Sequence, residues 1–460
     1  MDRRDLLKGV MAGSAAMAAA SAAHAAETNS TIAVPPKTSG RMLVNRPRAY
    51  AVLEELKLDA LIAFSPINVY YLSNTWPLMT KFRSDTAAFA TFSRDPNDPI
   101  FYVAGGPEVF DFANGDREVP EMITWTGAAN WQDYLNAPPE KMKVEPKANR
   151  PRGWHPLPTS KMTAREQAWR AAQEKYAASA AASPAWALAK ALKQYGITDK
   201  ARIAVYDMRV ALMLQGIGMD GITFVPGEQV FRKIRVVKTE PELELQRIAG
   251  RNNYDAAMAV AKSCAKGMTY AEIEHRFLTE CANRGNEMME FLVGTVQGHF
   301  ADTVVTEGRA FAIDAVSHFK QYHGDFGRTI VVGEPPKDLL AREKAHQAGY
   351  DAIYGVVKAG MKISEVRKIV LDAEIKAGMP EQLISCTPHG VGLEHGDNPG
   401  RMDVPFNMAE DIPLEENMVI TIDMPYIELG GHVGHHEDLI RITKTGFEPL
   451  HASGPALVVV

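Results

Sequence analysis

The sequence predicts an α/β (α+β) protein of two domains, and the second domain contains an internal duplication. Three observations lead to this prediction. The chain has 460 residues, which is too long for one ordinary hydrophobic core. In the first half, short apolar runs typical of buried strands alternate with helical patterns. In the second half, a segment of helical character bounded by glycines occurs twice with the same length.

Composition and charge are those of a soluble globular enzyme. Apolar residues make up 46% of the sequence and charged residues 23%, an ordinary globular balance. The formal net charge is −6, without a long run of one sign. Proteins that grip nucleic acid by its phosphates usually present a basic face, so no nucleic-acid partner is expected.

Residues 1–26 are predicted to be an export signal of the twin-arginine type. Arg3 and Arg4 precede a weakly apolar stretch from Gly9 to Ala23, and Ala23-His24-Ala25 is typical of a cleavage site. The stretch is shorter than the ~20 apolar residues of a membrane span, which favours cleavage over a membrane anchor. We expect a periplasmic or secreted protein without a stable membrane span, and a linker over residues 27–40.

The three cysteines are too few, and odd in number, for a disulfide framework. They are Cys264, Cys281 and Cys386. Twin-arginine substrates cross the membrane already folded, so disulfides are not expected. Cys281 and Cys386 are interpreted as buried apolar residues, and no motif around either one supports a thiol nucleophile.

The N-terminal domain is predicted over residues 41–232 as an α/β unit. Leu56 to Phe64 is typical of a helix end that runs into a buried strand. Tyr134 to Pro158 is rich in Pro, Lys and Asn, which indicates a surface excursion, and Ala164 to Gln194 is helical in composition. Further strands are predicted at Ala88–Phe92, Ile100–Val103 and Ile203–Tyr206.

The C-terminal domain, residues 233–460, opens with a helix signal. Thr239 followed three positions later by Glu242 forms a capping box, and Pro241 is tolerated in the first turn. Apolar residues then recur at helical spacing from Leu245 to Val260, which predicts an amphipathic core helix.

A repeat inside the C-terminal domain is the most informative feature of the chain. Gly267 opens a segment that closes at Gly285, and Gly360 opens another of identical length that closes at Gly378. Each is typical of a short turn followed by a capped helix that ends at glycine. Two similar halves predict a core with pseudo-two-fold symmetry, in which equivalent strand ends meet at the axis.

Candidate metal ligands fall at equivalent positions of the two copies. Each copy supplies a histidine, then the pattern Glu-x-x-x-x-x-Ile-Asp at the end of an apolar strand, then another carboxylate on the following strand. In the first copy these are His299, Asp314 and Asp325, and in the second they are His389, Asp423 and Glu437. A single such Asp is commonly a turn or cap residue. Four converging carboxylates, however, would repel one another and raise their own pKa values, and one or two divalent cations remove that cost. The predicted ligands are Asp314, Asp325, His389, Asp423 and Glu437.

At these residues the chain resembles the prolidase, aminopeptidase P and creatinase family, whose catalytic domain has the pita-bread fold. Asp314 and Asp325 match the spacing of the first two family ligands, and His389-Gly-Val-Gly matches the His-Gly-x-Gly turn. Asp423 falls where the family has Glu in an Ile-x-Ile-Glu-Pro segment, and Glu437-Asp438 matches its final Glu-Asp. Asp59-Ala60-Leu61-Ile62 and Asn68-Val69-Tyr70-Tyr71-Leu72 look like the family's N-terminal module. The resemblance implies a C-terminal pita-bread domain preceded by a creatinase-like α/β domain.

The resemblance also implies a function. It indicates a metal-dependent hydrolase of the Xaa-Pro aminopeptidase or dipeptidase type, acting on a small peptide or peptide-like substrate. Two divalent ions (Mn, Co, Fe or Zn) would hold a bridging hydroxide that attacks the amide carbonyl. By the same resemblance Asp423 handles the proton, and His299 and His395 hydrogen-bond the substrate carbonyl. Either histidine is otherwise an ordinary loop residue. Family members commonly form dimers, so a homodimer is expected.

Three departures from the family pattern leave other functions open. Asp423 is one methylene shorter than the usual Glu, and the interval from His389 to His395 is one residue shorter. His435 stands where proline-specific members have Arg, and it is expected to hold a substrate carboxylate less well. A metal-dependent lyase similar to the dimethylsulfoniopropionate lyases, a creatinase-like amidinohydrolase and an inactive binding module are the alternatives. The complete donor set disfavours the last two.

Overall fold

The computed structural model describes residues 36–82, 88–113, 115, 117–130, 132, 136–149, 158–295, 298–299, 303–401, 410–452 and 454–460, with only the backbone at residues 295, 298 and 299. The predicted leader and most of the linker lie outside the described residues, as does part of the Tyr134 to Pro158 segment. In the described part of the chain, no helix combines the length and the apolarity that crossing a bilayer requires.

The N-terminal domain is built on a six-stranded sheet of order β4-β3-β2-β1-β5-β6. The β1–β2 and β2–β3 pairs are antiparallel, and the remaining neighbours are parallel. The four strands predicted from apolar runs are present, whereas β4 and β6 were missed because they are the two edge strands, and each has an exposed polar residue at its start instead of a fully apolar run. The strands are β1 Ala60–Ala63, β2 Phe89–Ser93, β3 Phe101–Gly105, β4 Glu121–Trp125, β5 Arg202–Val205 and β6 Thr223–Pro226.

Helices cover both faces of this sheet. The single helical segment predicted from Ala164 to Gln194 is two helices, because Ser183 caps the second one and Pro184 disfavours helical backbone in the residue before it. The helices are α1 Arg46–Glu55, α2 Pro66–Ser73, α3 Glu108–Phe112, α4 Pro139–Met142, α5 Ala164–Ala177, α6 Pro184–Gln194, α7 Met208–Gly216 and α8 Glu228–Arg235, with 3₁₀ turns at Leu78–Phe82 and Thr159–Lys161.

A nine-stranded sheet forms the C-terminal domain, with the main order β11-β12-β13-β10-β9-β7-β8, β14 beside β13 and β15 beside β10. Its strands are β7 Glu287–Thr295, β8 Gly298–His299, β9 Phe311–Phe319, β10 Tyr322–Val331, β11 His389–Gly390, β12 Val419–Ile427, β13 Val433–Ile442, β14 Phe447–Pro449 and β15 Leu457–Val459. Its helices are α9 Glu240–Ala261, α10 Tyr270–Arg284, α11 Lys337–Asp351 and α12 Ile363–Lys376.

The strand order reproduces the duplication. The β9–β10 hairpin and the β12–β13 hairpin are both antiparallel, and they meet through β10 and β13. The capping box at Thr239 is present. In the first copy α10 ends at Gly285, which has a φ of +84°, and in the second Gly378 follows α12 with a φ of +100°. A positive φ is the conformation that favours glycine at a helix end.

The carboxylates of the repeat do not lie at strand ends, and this part of the prediction was wrong. Asp314 lies inside β9, which continues to Phe319, and Asp423 lies inside β12, which continues to Ile427. Buried apolar residues continue after each Asp, with Ala315 and Val316 in β9 and Met424 and Tyr426 in β12, so both strands extend beyond it. The donors therefore project from the middle of the sheet.

The two domains are joined through α8 and the residues after it. The predicted boundary between residues 232 and 233 falls within α8. Val230, Phe231 and Ile234 of this helix belong to the apolar core of the N-terminal domain, whereas Val236 packs into the core of the C-terminal domain.

All three cysteines are free and buried, as expected for Cys281 and Cys386. Burial raises the pKa of the Cys264 and Cys281 thiols to about 12. A protonated, enclosed thiol is a poor nucleophile.

Candidate metal centre

Three carboxylates share one row across four strands. Gly327 of β10 pairs with Asp314 of β9 on one side and with Glu437 of β13 on the other, and Glu437 pairs in turn with Asp423 of β12. Directly paired residues project from the same face of a sheet. Asp314, Glu437 and Asp423 therefore face the same space, with a glycine in the middle of the row.

A second row lies two residues away on the same face. Asp325 precedes Gly327 by two positions on β10, and His389 of β11 pairs with Thr421, two positions before Asp423. Two residues along a strand correspond to roughly 7 Å. The two rows together bring all five predicted ligands to one face of the sheet.

The donor atoms of these residues are close together. Nε2 of His389 lies 3.8 Å from Oδ2 of Asp325 and 3.9 Å from Oε1 of Glu437. Thr421 donates a hydrogen bond of 2.8 Å to the same Glu437 oxygen and holds its carboxylate in place. Three groups each offer donor atoms within 4.8 Å of one another: Asp325 with His389 and His395, Asp314 with His435 and Glu437, and His389 with Asp423 and Glu437.

Helices cover the opposite face of the sheet. Tyr254 of α9 packs edge-on against Phe326, and Tyr350 of α11 stacks on His436 at 4.3 Å between ring centroids. On that face Arg328 donates to Asp438 at 2.5 Å, a fully buried ion pair that joins β10 to β13. The donors therefore occupy the face that the helices leave uncovered.

Of the two predicted substrate-side histidines, His395 lies beside the cluster, whereas the side chain of His299 is not described. Nε2 of His395 lies 3.1 Å from Oδ2 of Asp325, and its ring centroid lies 4.9 Å from that of His389. His299 lies in β8, whose backbone pairs with β7, but its side chain falls outside the described part of the structure.

A buried ion network fixes the loop that carries His395. Asp397 accepts from Nη2 of Arg235 at 2.6 Å and from Nζ of Lys238 at 3.0 Å, and all three side chains are enclosed. Arg235 also donates to Asn68 of α2 in the N-terminal domain. Sequence reasoning missed this network. Glu394 and Asp397, two acidic residues on either side of His395, were the available signal.

His435 lies inside the cluster and is fully buried. Its Nε2 lies 2.9 Å from Oδ1 of Asp423 and 3.4 Å from Oε2 of Glu437, and its Nδ1 lies 3.2 Å from the carbonyl oxygen of Ile313. A Cβ at residue 327 would overlap the imidazole ring, so Gly327 provides the space for it. These surroundings differ from those expected of a residue that holds a substrate carboxylate.

The cluster has a closed wall and an open one. The side chains of Asp325 and Glu437 are 0% and 3% exposed, whereas those of His395, His389 and Asp423 are 36%, 26% and 20% exposed. A substrate would therefore approach the side formed by His389, His395 and Asp423.

In the protein without cations, the cluster retains protons. Burial raises the pKa of Asp314 to about 7, with Asp325 and Asp423 adding to the rise and His435 opposing it. Burial and the neighbouring carboxylates also raise the pKa of Glu437 well above its usual range. Burial lowers the pKa of His395, but Asp325 outweighs it and brings the value to about 9. Mutual repulsion among the carboxylates is thus relieved by bound protons.

Divalent cations fit this donor set. Among the described residues, none donates a hydrogen bond to the buried Oδ1 atoms of Asp314 and Asp325. A buried carboxylate oxygen without a donor is costly unless it binds a cation. Carboxylate oxygens combined with imidazole nitrogens suit Mn, Fe, Co and Zn.

The fold and the donor set define a two-domain protein with a pita-bread C-terminal domain and a candidate metal centre. Residues 244–444 match the metallopeptidase family M24, and the chain is related to the metallopeptidases of that family.

Several of the individual relatives that the chain matches are named as dipeptidases. The chain is 26% identical over 249 residues to the "Probable dipeptidase PepE" of Mycobacterium tuberculosis, covering 52% of this chain and 65% of that protein. It is 28% identical over 233 residues to the "Xaa-Pro dipeptidase" of Pyrococcus furiosus, covering 48% of this chain and 65% of that protein. The matches therefore span slightly less than two thirds of each relative.

The structural likeness covers both domains. The X-Pro aminopeptidase from Thermotoga maritima superimposes with a TM-score of 0.62 at 17% identity, over 90% of this chain and 99% of that one. The predicted fold class, a pita-bread domain after an N-terminal α/β domain, is confirmed.

Proposed function

We propose that this protein is a metal-dependent hydrolase that cleaves an amide bond in a small peptide or peptide-like molecule, in the manner of an Xaa-Pro dipeptidase or aminopeptidase. One observation carries the proposal. The buried Oδ1 atoms of Asp314 and Asp325 have no hydrogen-bond donor among the described residues, and both carboxylates lie beside imidazole nitrogens. The relationship to M24 metallopeptidases supports the same chemistry.

The proposed ligands of two divalent cations are Asp314, Asp325, His389, Asp423 and Glu437. When bound, two such ions lower the pKa of a shared water and polarise the substrate carbonyl. Mn, Fe, Co and Zn all suit this donor set. The buried wall of Asp325 and Glu437 would keep bulk water from the far side of the ions.

The open wall would handle the substrate. Asp423 is partly exposed; Oγ1 of Thr387 donates to its Oδ2 at 2.5 Å, and Nε2 of His435 lies 2.9 Å from its Oδ1. A carboxylate fixed in this way is placed to take a proton from water and to pass it to the leaving amine. His395 lies on the same open wall, with its Nε2 3.1 Å from Asp325, and a ring N–H there is placed to donate to the substrate carbonyl oxygen.

A turnover assay of the full chain tests the proposal. Protein freed of metal is reloaded with Mn²⁺, Co²⁺, Fe²⁺ or Zn²⁺ and offered Xaa-Pro dipeptides, Xaa-Pro tripeptides and matched Xaa-Ala peptides. Asp325→Asn should abolish metal-dependent cleavage. Asp372→Asn, which removes an exposed carboxylate paired with Lys368 on α12, should leave it unchanged.

The other outcomes identify the competing functions. Bound metal without cleavage of any peptide would favour the lyase, and absence of metal would favour a creatinase-like enzyme or a binding module. Cleavage that persists in Asp325→Asn would contradict the assignment of the site.

We also propose export by the twin-arginine route to the periplasm or beyond, and assembly as a homodimer. Support for export comes from Arg3-Arg4 and the apolar stretch after them, and support for the dimer comes from the family resemblance. Replacing both arginines with lysine should retain the protein in the cytoplasm on fractionation, and light scattering should give twice the mass of one chain. Unchanged export or a monomeric mass would contradict the respective proposal.

A further inference from the structure

The two ring nitrogens of His435 have different partners. Nδ1 lies 3.2 Å from the carbonyl oxygen of Ile313, and a carbonyl oxygen can only accept, so Nδ1 carries the hydrogen. In the neutral ring Nε2 then has a free lone pair. That nitrogen faces Oδ1 of Asp423 at 2.9 Å and Oε2 of Glu437 at 3.4 Å.

A lone pair directed at two carboxylates is repulsive unless something positive lies between them. A proton held between them, on Nε2 or on the Glu437 carboxyl, is one solution, and a cation shared by the nitrogen and the oxygens is another. Donor atoms bound to one ion at about 2.1 Å lie roughly 3.0 to 3.5 Å apart. The spacing from Nε2 of His435 to Glu437 falls in that range, and the spacing to Asp423 is close to it.

The surroundings of the ring are those of a metal-bound imidazole. Metal-ligating histidines almost always donate their second ring N–H to a carboxylate, a backbone carbonyl or water, which sets the tautomer. Ile313 supplies such a carbonyl, one residue before Asp314. Gly327 leaves open the position that the ring occupies, because any side chain there would overlap it.

We propose that His435 is a sixth protein ligand, which supplies an imidazole nitrogen to the cation position bounded by Asp314 and Glu437. The donor atoms of these three residues lie within 4.8 Å of one another. The inference rests on the proposed function only for the presence of cations. His389 serves the neighbouring position beside Asp325, so each of the two positions has its own imidazole.

An imidazole changes the metal preference of its position. Carboxylate-only sites suit Mn²⁺ and Mg²⁺, whereas imidazole favours Zn²⁺, Fe²⁺ and Co²⁺. The cation position bounded by Asp314, Glu437 and His435 should therefore bind Zn²⁺ or Co²⁺ more tightly than Mn²⁺. If the ring only orients Asp423 as a hydrogen-bond donor, its loss would weaken all metals alike.

His435→Asn separates the two roles. The asparagine amide can reach the location of Nδ1 and keep the bond to Ile313, but it has no atom at Nε2. His432→Asn is the matched control, because His432 is buried near the start of β13 and pairs with Asp338 outside the cluster. Zn²⁺, Co²⁺ and Mn²⁺ are titrated separately into metal-free full-length protein, with a competing chelator and calorimetric detection.

We expect a metal-selective loss of affinity at one of the two cation positions. In His435→Asn the Zn²⁺ affinity of that position should fall about 100-fold or more, Mn²⁺ affinity should fall less than tenfold, and the visible spectrum of the Co²⁺ form should change. Equal losses for all three metals, or no loss, would overturn the proposal while leaving the proposed function standing. Wild-type protein that binds no divalent ion would overturn both.

A measurement on the wild type covers the case in which the variant does not fold. Anomalous scattering at the zinc edge from Zn²⁺-loaded crystals should place an ion about 2.1 Å from Nε2 of His435. An ion more than about 3 Å from that nitrogen would contradict the proposal.

Discussion

Asp423 and His435 face each other across the β12–β13 pair, with Oδ1 of the first 2.9 Å from Nε2 of the second. The other oxygen of Asp423 accepts from Thr387 at 2.5 Å. The carboxylate is therefore flanked on both sides, and another methylene would push it against one of these two residues. The short Asp and the histidine at position 435, both departures from the family pattern, form a matched pair.

Restoring the family residue at position 423 alone should harm the enzyme. Asp423→Glu pushes the carboxylate into His435 or Thr387, and we expect a 10- to 100-fold loss of metal affinity and of kcat/KM. Combining it with His435→Arg should cost less than the product of the two single losses, because the pair is coupled. Metal titration and steady-state kinetics of the three variants measure this coupling. If the double variant lost the full product of the two single losses, so that the free-energy changes simply added, the coupling would be contradicted.

The network around Asp397 should be important for stability. Asp397→Ala leaves Arg235 and Lys238 buried without their shared partner, and such a loss typically lowers the free energy of unfolding by about 3–5 kcal/mol. Urea denaturation measures the change. Asp372→Ala, which breaks an exposed pair, should change the free energy by less than about 1 kcal/mol. Equal effects of the two substitutions would refute a structural role for the network.

Much of the carboxylate cluster was predictable from the sequence, because the duplication implies the strand register. Once two similar hairpins meet at an axis, Asp314 and Asp423 must lie at equivalent places on one face. Apolar runs revealed the strands that carry them.

Other features depend on pairings that leave no local signal. The ring of His435 is buried because β10 and β13 place it over Gly327, more than a hundred positions away in the sequence. Arg235 meets Asp397 across a separation of 162 residues, and although the acidic pair Glu394 and Asp397 signals a need for cationic partners, nothing local identifies Arg235 as one of them. The apolar residues after each Asp allow β9 and β12 to continue, and the ladder that carries each strand to its end is formed with a neighbouring strand, as the pairs Phe319–Tyr322 and Ile427–Val433 show.

Metal affinity should rise with pH. The pKa of Asp314 is raised to about 7 by burial, so below pH 7 a cation must displace its proton. Affinity should fall as the pH is lowered from 7 to 5, by about tenfold per pH unit for each proton released. Metal binding between pH 7 and 9 should also release the proton of His395, whose pKa is about 9 in the metal-free protein. Cations that neutralise Asp325 remove the negative charge that raises this pKa. Calorimetry in buffers of different ionisation enthalpy counts the protons, and an affinity independent of pH would be contrary to expectation.

Glu374 of α12 should destabilise the protein at alkaline pH. Burial raises its pKa to about 8, so the folded state binds a proton that the unfolded state releases near pH 4.5. The stability that this proton provides is complete below pH 4.5 and is lost progressively as the pH rises to about 8. The stability of Glu374→Gln relative to wild type should therefore increase from pH 5 to pH 8.5, by up to a few kcal/mol. Urea unfolding at both pH values measures the difference, and a constant difference would argue against a buried neutral carboxyl.

The presence of a dimetal centre can be measured directly as metal content per chain. Full-length wild-type protein, loaded with Zn²⁺ or Co²⁺ and dialysed against metal-free buffer, should retain two ions per chain by mass spectrometry. Asp325→Asn, which alters the carboxylate beside His389 and His395 at one of the proposed cation positions, should retain at most one. A wild-type protein that retains no ion, or an Asp325→Asn protein that retains two with unchanged affinity, would contradict the assignment.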